Sequence, residues 1–320
     1  MTETKLKPQL KKTKQLKATE LTKLVTKQTK QTNLTKLTKQ TKALTTQQLH
    51  ILKIIYKFRF VTANFVAMYR GVKLSTTNET LEILLQKQLI TRKYDKSYKL
   101  LGKGARYFLT PKASKLLKPE PNINEQVLHT RYKDRYVSEA FVEHSIEIMA
   151  ACLDIRSSYP DAFTIFSKAE SAGHNFMPKP LPDLYLRRNK TSEEAKQNTE
   201  VNNKKDTKQN TEANKDTKKL ANKETKQEAN QPKYYFIDLI PDNLFFITKK
   251  RINQYFDHFE SGDWGGGQYP TILLICQSKT VIKKANEHIK NSLDDRYLYD
   301  YEVPIKAILK TELIGHIKTS

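Results

Sequence analysis

Apolar residues return at helical spacing from the start of the stretch TTQQLHILKIIYKFRF, where Leu49, Leu52, Ile55 and Tyr56 share one face. Thr45 or Thr46 stands where an N-cap belongs, just ahead of that face. Phe60 and Val61 mark a turn into a second helix over about 62–69, which Gly71 stops. Ser75 is the expected N-cap of a third helix, with Leu81, Leu84 and Leu85 as its buried stripe. Past Leu89 and Ile90 the period changes to alternation in Thr91-Arg92-Lys93-Tyr94, and Arg106-Tyr107-Phe108-Leu109 reads as a returning strand. The loop between them holds Lys96, Lys99, Gly102, Lys103 and Gly104.

A second set of elements follows a Pro- and Asn-rich linker at 119–124. One long helix is expected over about 125–155, with Tyr136, Phe141, Val142, Ile146, Met149 and Ala150 turned toward a core. Strands are expected at 163–166, 182–186, 234–239, 271–276 and 303–309, and helices at 249–259 and 281–292. Continuous apolar strands alternating with helices predict an α/β layer covered on both faces. Residues 189–232 break this order with a Lys-, Asn- and Thr-rich run that holds no aromatic residue. It carries too little apolar surface to fold, and is expected to be a disordered insertion in a hairpin. Residues 1–43, built from Thr, Lys, Gln and Leu, are expected to be a disordered basic arm.

The predicted organisation is therefore an arm (1–43), a three-helix unit closed by a basic hairpin (44–118), the linker, and an α/β domain over 125–318. The first folded unit has the form of a winged helix-turn-helix, a module that reads double-stranded DNA. Charge sharpens this reading. The chain has a net charge of +23. Residues 1–43 hold 12 basic and 2 acidic side chains, and residues 44–118 hold 15 and 3. Nearly all the excess lies in the first third, as expected of a segment facing a polyanion. The candidate DNA contacts are Lys73, Thr76, Thr77, Asn78, Thr80 and Lys87 on the third helix, and Arg92, Lys93, Lys96, Lys99, Lys103 and Arg106 on the hairpin. Cys152 and Cys276 lie in apolar runs without metal-ligand spacing and read as buried thiols. No apolar run is long enough to cross a bilayer and no signal-peptide pattern is present, so a cytoplasmic protein is expected.

Chemistry in the second domain centres on Pro182-Asp183 at one strand and Asp238 at the next. Two carboxylates converging at strand ends are how restriction-endonuclease-like folds, summarised as PD-(D/E)XK, gather Mg²⁺ for water activation. The lysine two residues past the second acid is missing, since Ile240 stands there. Lys249 or Lys250 is the expected substitute cation, and Asp242 a further metal ligand. The residues leave two readings open: a metal-dependent nuclease or nickase using Asp183, Asp238 and Lys249, or a structural version of the same fold. No phosphate-binding Gly loop, zinc spacing or clustered histidines support another reaction.

The order of these segments resembles the replication-relaxation family of bacterial plasmids and mobile elements. The resemblance rests on the FRFVT turn, the LLQKQLI helix end, the RYFLTP-K-A hairpin end, EHSIEI, then PD, then an acidic strand and a K…Y helix. It implies sites at Glu143-His144, Asp183, Asp238 and Lys249 or Lys250 with Tyr255. Where the family has Glu-x-Asp followed by Arg-Gly-Thr, this chain has Asp238-Leu239-Ile240-Pro241-Asp242. Membership would imply duplex DNA as partner, a role in plasmid replication or DNA relaxation, and homodimers or replication and mobilisation proteins as further partners. A winged-helix transcriptional regulator is the blander alternative.

Overall fold

The computed structural model describes residues 44–189, 234–242, 245–265, 267–298 and 303–317. The predicted arm and nearly all of the predicted insertion lie outside the described residues. Three helices open the chain: α1 (Thr46–Phe58), α2 (Ala63–Arg70) and α3 (Leu74–Gln86). Thr45 caps α1 by accepting from the Gln48 N–H while the Gln48 side chain returns to the cap, a reciprocal box. Thr62 caps α2, and Gly71 ends it in the left-handed region. So little chain remains before α3 that the helix starts at Leu74. Lys73 takes the N-cap position without a side-chain bond, and Ser75 lies inside the helix instead of capping it.

Strands β1 (Ile90–Lys93) and β2 (Arg106–Leu109) pair antiparallel, with Ile90 opposite Leu109 and Lys93 opposite Arg106. Val61 adds a third rung by exchanging both backbone hydrogen bonds with Tyr107. The expected loop between the strands contains a short helix α4 (Lys96–Leu100), capped by the Asp95 side chain. Helix α5 (Pro111–Leu117) follows, with Thr110 as its cap and proline in its first turn.

The expected long helix at 125–155 is three pieces. Helix α6 (Glu125–Thr130) and a 3₁₀ segment (Arg131–Tyr136) come first, and α7 (Glu139–Ser158) starts afresh. Extended backbone at Val137 and Ser138 makes the break, and Ser138 caps α7. Then come β3 (Phe163–Ser167), α8 (Lys168–Ser171), β4 (Leu184–Arg188), β5 (Tyr234–Ile240), α9 (Phe245–Ser261), β6 (Thr271–Cys276), α10 (Lys279–Asp295), β7 (Ile305–Leu309) and α11 (Leu313–His316). The sheet order is β3-β4-β5-β6-β7, antiparallel across the first two pairs and parallel across the last two. The chain is thus a mixed α/β protein. Arg187 pairs with Tyr234, so the chain ends on either side of 190–233 lie together at the open end of the β4–β5 hairpin. Asn189, just past the end of β4, bonds to Ala162, Asp161 and Thr164 beside β3.

Alternate residues of β5 face opposite cores. Phe236 and Ile240 pack with Ile252, Phe256 and Ala285 from α9 and α10. Tyr235, Ile237 and Leu239 belong to the other core, with Met149 and Cys152 of α7. That second core does not stop at the sheet domain. It runs on without a gap into Ile51, Leu52, Ile55, Leu81 and Leu84 of the three-helix unit. The 119–136 stretch is part of the joint. The Asn124 N–H donates to the Tyr56 hydroxyl, which donates to the Ala169 carbonyl, and Arg131 donates to the Tyr56 carbonyl.

A shared core predicts shared unfolding. Leu52→Ala removes a fully buried side chain and should cost about 2–5 kcal/mol. Urea unfolding followed by tyrosine fluorescence and by circular dichroism should give one coincident transition, shifted as a whole in the variant. A separate early transition of the helical unit would contradict the continuous core.

Candidate functional site

The two carboxylates singled out by sequence do meet, just before β4 and within β5. Asp238 Oδ1 accepts the backbone N–H of Asp183 at 2.9 Å, and Asp183 Oδ2 accepts the N–H of Leu239 at 3.0 Å. Each strand therefore reads the other's acid. Both side chains are buried, and both are surrounded by donors. Asp183 Oδ1 accepts from Lys168 Nζ at 2.7 Å, and its Oδ2 lies 3.3 Å from His144 Nε2. Asp238 Oδ2 accepts from Arg251 Nε and, at 2.7 Å, from the Tyr255 hydroxyl. Arg251 also donates to the Pro180 carbonyl and, at 2.9 Å, to the Tyr255 oxygen.

Burial alone would raise the Asp183 pKa, but the charge of Lys168 and the bond and charge of His144 outweigh it and hold the acid well below the ordinary carboxylate range. His144 responds in the opposite sense. Burial works to lower its pKa, and the Asp183 bond and charge overcome that and raise it. Burial lowers the Arg251 pKa as well, yet Asp238 more than compensates and the guanidinium stays charged.

A hard cation needs open carboxylate oxygens at ~2.0–2.6 Å. Here every oxygen of Asp183 and Asp238 already accepts from a protein donor, two of which are full cations. Asp242 does not join them: it is exposed and accepts from Ser278 Oγ at 3.3 Å. Among the described residues no group of three or more His, Cys, Asp or Glu side chains is arranged to hold a metal ion. The residues present do not fit Mg²⁺. Lys249 is not the substitute cation either, since it is exposed with its ammonium 5.6 Å from the Phe245 ring. The cation that reaches Asp238 is Arg251, which sequence reasoning passed over. Its signal was spacing, because Thr248, Arg251, Ile252, Tyr255 and Phe256 form one buried stripe of α9.

Neighbours on α7 serve different partners. His144 turns to Asp183, whereas Glu143 accepts from Lys103 at 3.1 Å and from Arg106 at 3.2 Å. Tyr98 donates to Glu139, and Lys93 donates to the Val137 carbonyl at 2.9 Å. The hairpin is thereby fastened to the start of α7. This corrects several candidate DNA contacts. Arg106 is 6% exposed and committed to Glu143 and the Gly104 carbonyl. Lys103 is half-buried in the same cluster, and Lys93 is half-buried against Val137. Thr77 and Thr80 face the core, at 0% and 7% exposure, because they lie one turn before the buried Leu81 and Leu84. Lys73, Asn78, Lys87, Arg92, Lys96 and Lys99 are exposed, and Thr76 is half-exposed.

A cleft of about 320 Å³ opens at the carboxyl ends of β5 and β6, lined by Glu143, His144, Glu147, Asp242, Gln277 and Lys310. Its acids outnumber its cations, which makes it a poor seat for phosphate. No protein-family model, curated protein or solved structure matches this chain. Among the described residues no helix is long and apolar enough to cross a membrane.

Two outcomes are expected. Arg251→Met leaves Asp238 buried without its cation and should destabilise the fold by about 3–5 kcal/mol, read from urea midpoints. His144→Gln tests the sign of linkage. A raised histidine pKa contributes stability that is complete below about 6.5 and lost as pH rises through the folded value. The stability gap between wild type and His144→Gln should be larger at pH 5.5 than at pH 8.5. An equal gap at both values would remove the imidazolium from the account.

Proposed function

We propose that this chain is a double-stranded DNA-binding protein that reads the duplex through an N-terminal winged helix, with its α/β domain acting as a scaffold and not as a nuclease. The observation that carries the reading is the set of exposed polar side chains on α3 and exposed cations at its two ends and on the hairpin. Lys73, Asn78, Lys87, Arg92, Lys96 and Lys99 lie open there, on the unit that holds 15 basic and 3 acidic side chains. Helix α3 packs inward on α1, α2 and β1, which leaves its outer side free. Asn78 suits an adenine edge, and the exposed Glu79 and Glu82 beside it suit cytosine amino groups. Lys96 and Lys99 on the hairpin suit phosphates.

The scaffold role follows from the carboxylates, whose oxygens are already engaged. The order helix, three strands, helix, strand, with PD before one strand and an acid in the next, supports a degenerate restriction-endonuclease-like domain. Together with the segment order it supports a place near the replication-relaxation family, and hence a role in replication of a plasmid or mobile element.

Fluorescence anisotropy with labelled duplexes tests the reading. Lys96→Gln with Lys99→Gln should weaken binding to every sequence alike and flatten the slope of log K against log salt by about 0.9 for each phosphate no longer neutralised. Asn78→Ala should instead reduce the preference between sites, by about 1–3 kcal/mol at the base it reads. Unchanged affinity and slope in the double lysine variant would refute the proposed DNA face.

A further inference from the structure

A second cleft, of about 440 Å³, lies where the three-helix unit meets the sheet domain. That volume is within the range of small-molecule sites, about 300–1,000 Å³. Its polar lining is unlike that of the acidic cleft. Lys57, Arg59, Arg131 and Lys168 all border it, with His144 beside them and Asp183 as its lining carboxylate.

Three of the four cations have a carboxylate of their own. Lys57 pairs with Glu170 at 3.0 Å, Arg59 with Asp134, and Lys168 with Asp183 at 2.7 Å. Arg131 has none within ion-pair distance among the described residues. It is 5% exposed, donates one bond at 2.9 Å to the Tyr56 carbonyl, and leaves its Nε–H without a partner. Burial and the nearby Arg59 charge push its pKa down to about 10, and Asp134 offsets only part of that fall. A buried guanidinium with an incompletely matched charge beside an open cleft is costly unless an anion completes it.

We infer that this cleft binds a small phosphate-bearing ligand held by the guanidinium of Arg131, with Arg59 and Lys168, each already paired with a carboxylate, adding positive charge at its border. Arginine is the side chain best shaped for such an oxyanion, through parallel N–H bonds. Val127, Phe141, Ile148 and Leu181 supply apolar wall for the body of a phosphate monoester. The inference stands apart from the DNA face, which is built from other residues.

Phosphate could reach the cleft as a free small molecule or as the 5′-phosphate of a DNA end. Isothermal titration of the full chain separates these sources, using inorganic phosphate, adenosine monophosphate, adenosine, and an oligonucleotide with or without a 5′-phosphate. Saturable binding of phosphate and the monophosphate, with none for adenosine, assigns a free ligand. An additional saturable phase seen only with the 5′-phosphorylated oligonucleotide, with none for free phosphate or the monophosphate, assigns a DNA end. In either case Arg131→Gln should weaken binding at least tenfold. Since Arg131 also supports Tyr56, Val127→Glu provides a second variant, in which a carboxylate from the cleft wall occupies the place of the anion. It too should bind at least tenfold more weakly while keeping the wild-type circular dichroism spectrum. Absence of saturable binding by phosphate and the monophosphate, together with equal binding of the oligonucleotide with and without its 5′-phosphate, or wild-type affinity in Val127→Glu, would overturn the inference.

Discussion

Two carboxylates buried side by side are the constraint on which the sheet domain depends. An ionised acid taken out of water costs several kcal/mol unless charge and hydrogen bonds replace its hydration, and here two acids share one site. The chain meets this cost from three directions. Helix α9 brings Arg251 and Tyr255 to Asp238, α8 brings Lys168 to Asp183, and α7 brings His144. The backbone closes the set, with one N–H from each neighbouring segment directed at the other's carboxylate. Three helices and two strands are therefore fixed in relation to one buried cluster. The same saturation that makes the cluster a good structural joint makes it a poor metal centre, since a ligand oxygen already held by arginine or lysine has little to offer a second cation.

From this joint the constraint passes along α7 to the N-terminal unit. His144 faces the acids and Glu143, one residue earlier, faces the hairpin, so one turn of helix holds both. Glu143 stays ionised because Lys103 and Arg106 outweigh its burial. Three of the hairpin's cations are thus committed to position, Lys103 and Arg106 to Glu143 and Lys93 to the Val137 carbonyl. The remainder, Arg92, Lys96 and Lys99, project from a hairpin whose base cannot swing freely. In the proposed DNA-binding role, a rigid base would limit the entropy lost when the hairpin settles on a phosphate backbone.

Much of the fold was legible in the sequence because its elements carry strong periodic signals. The 3.6-residue stripe of α1, the unbroken apolar runs of β5 and β6, and the cap at Thr45 are local features, and they can be read locally. The break between α6 and α7 was not, because apolar spacing continues across it and only Val137 and Ser138 depart from helix. Asp183 and Asp238 were found from a motif, and they do meet. His144 and Tyr255 were named with them, but the cations Arg251 and Lys168 were missed, because ion pairs at a separation of 13 or 15 residues leave no periodic trace. In KKRINQYF three cations stand in a row, and only the phase of the helix decides which one faces the strand. Thr77 and Thr80 failed for the same reason. Polarity suggested an outer face, while a spacing of four from Leu81 and Leu84 put them inside.

Phase also explains why the net charge of the first third overstates its free charge. Lys57 is directed at Glu170 and the Ile165 carbonyl, Arg59 at Asp134, and Arg106 at Glu143, so three of its cations bind the second domain to the first. Each of these bonds crosses the joint between the helical unit and the sheet domain, beside the continuous apolar core. Charge pairs that cross such a joint contribute orientation more than affinity, because a wrong register would leave a buried charge unmatched. The excess charge of this segment thus has two tasks divided by burial. Its outward share is what the proposed DNA-binding role would use, and its inward share fixes the angle between the two units.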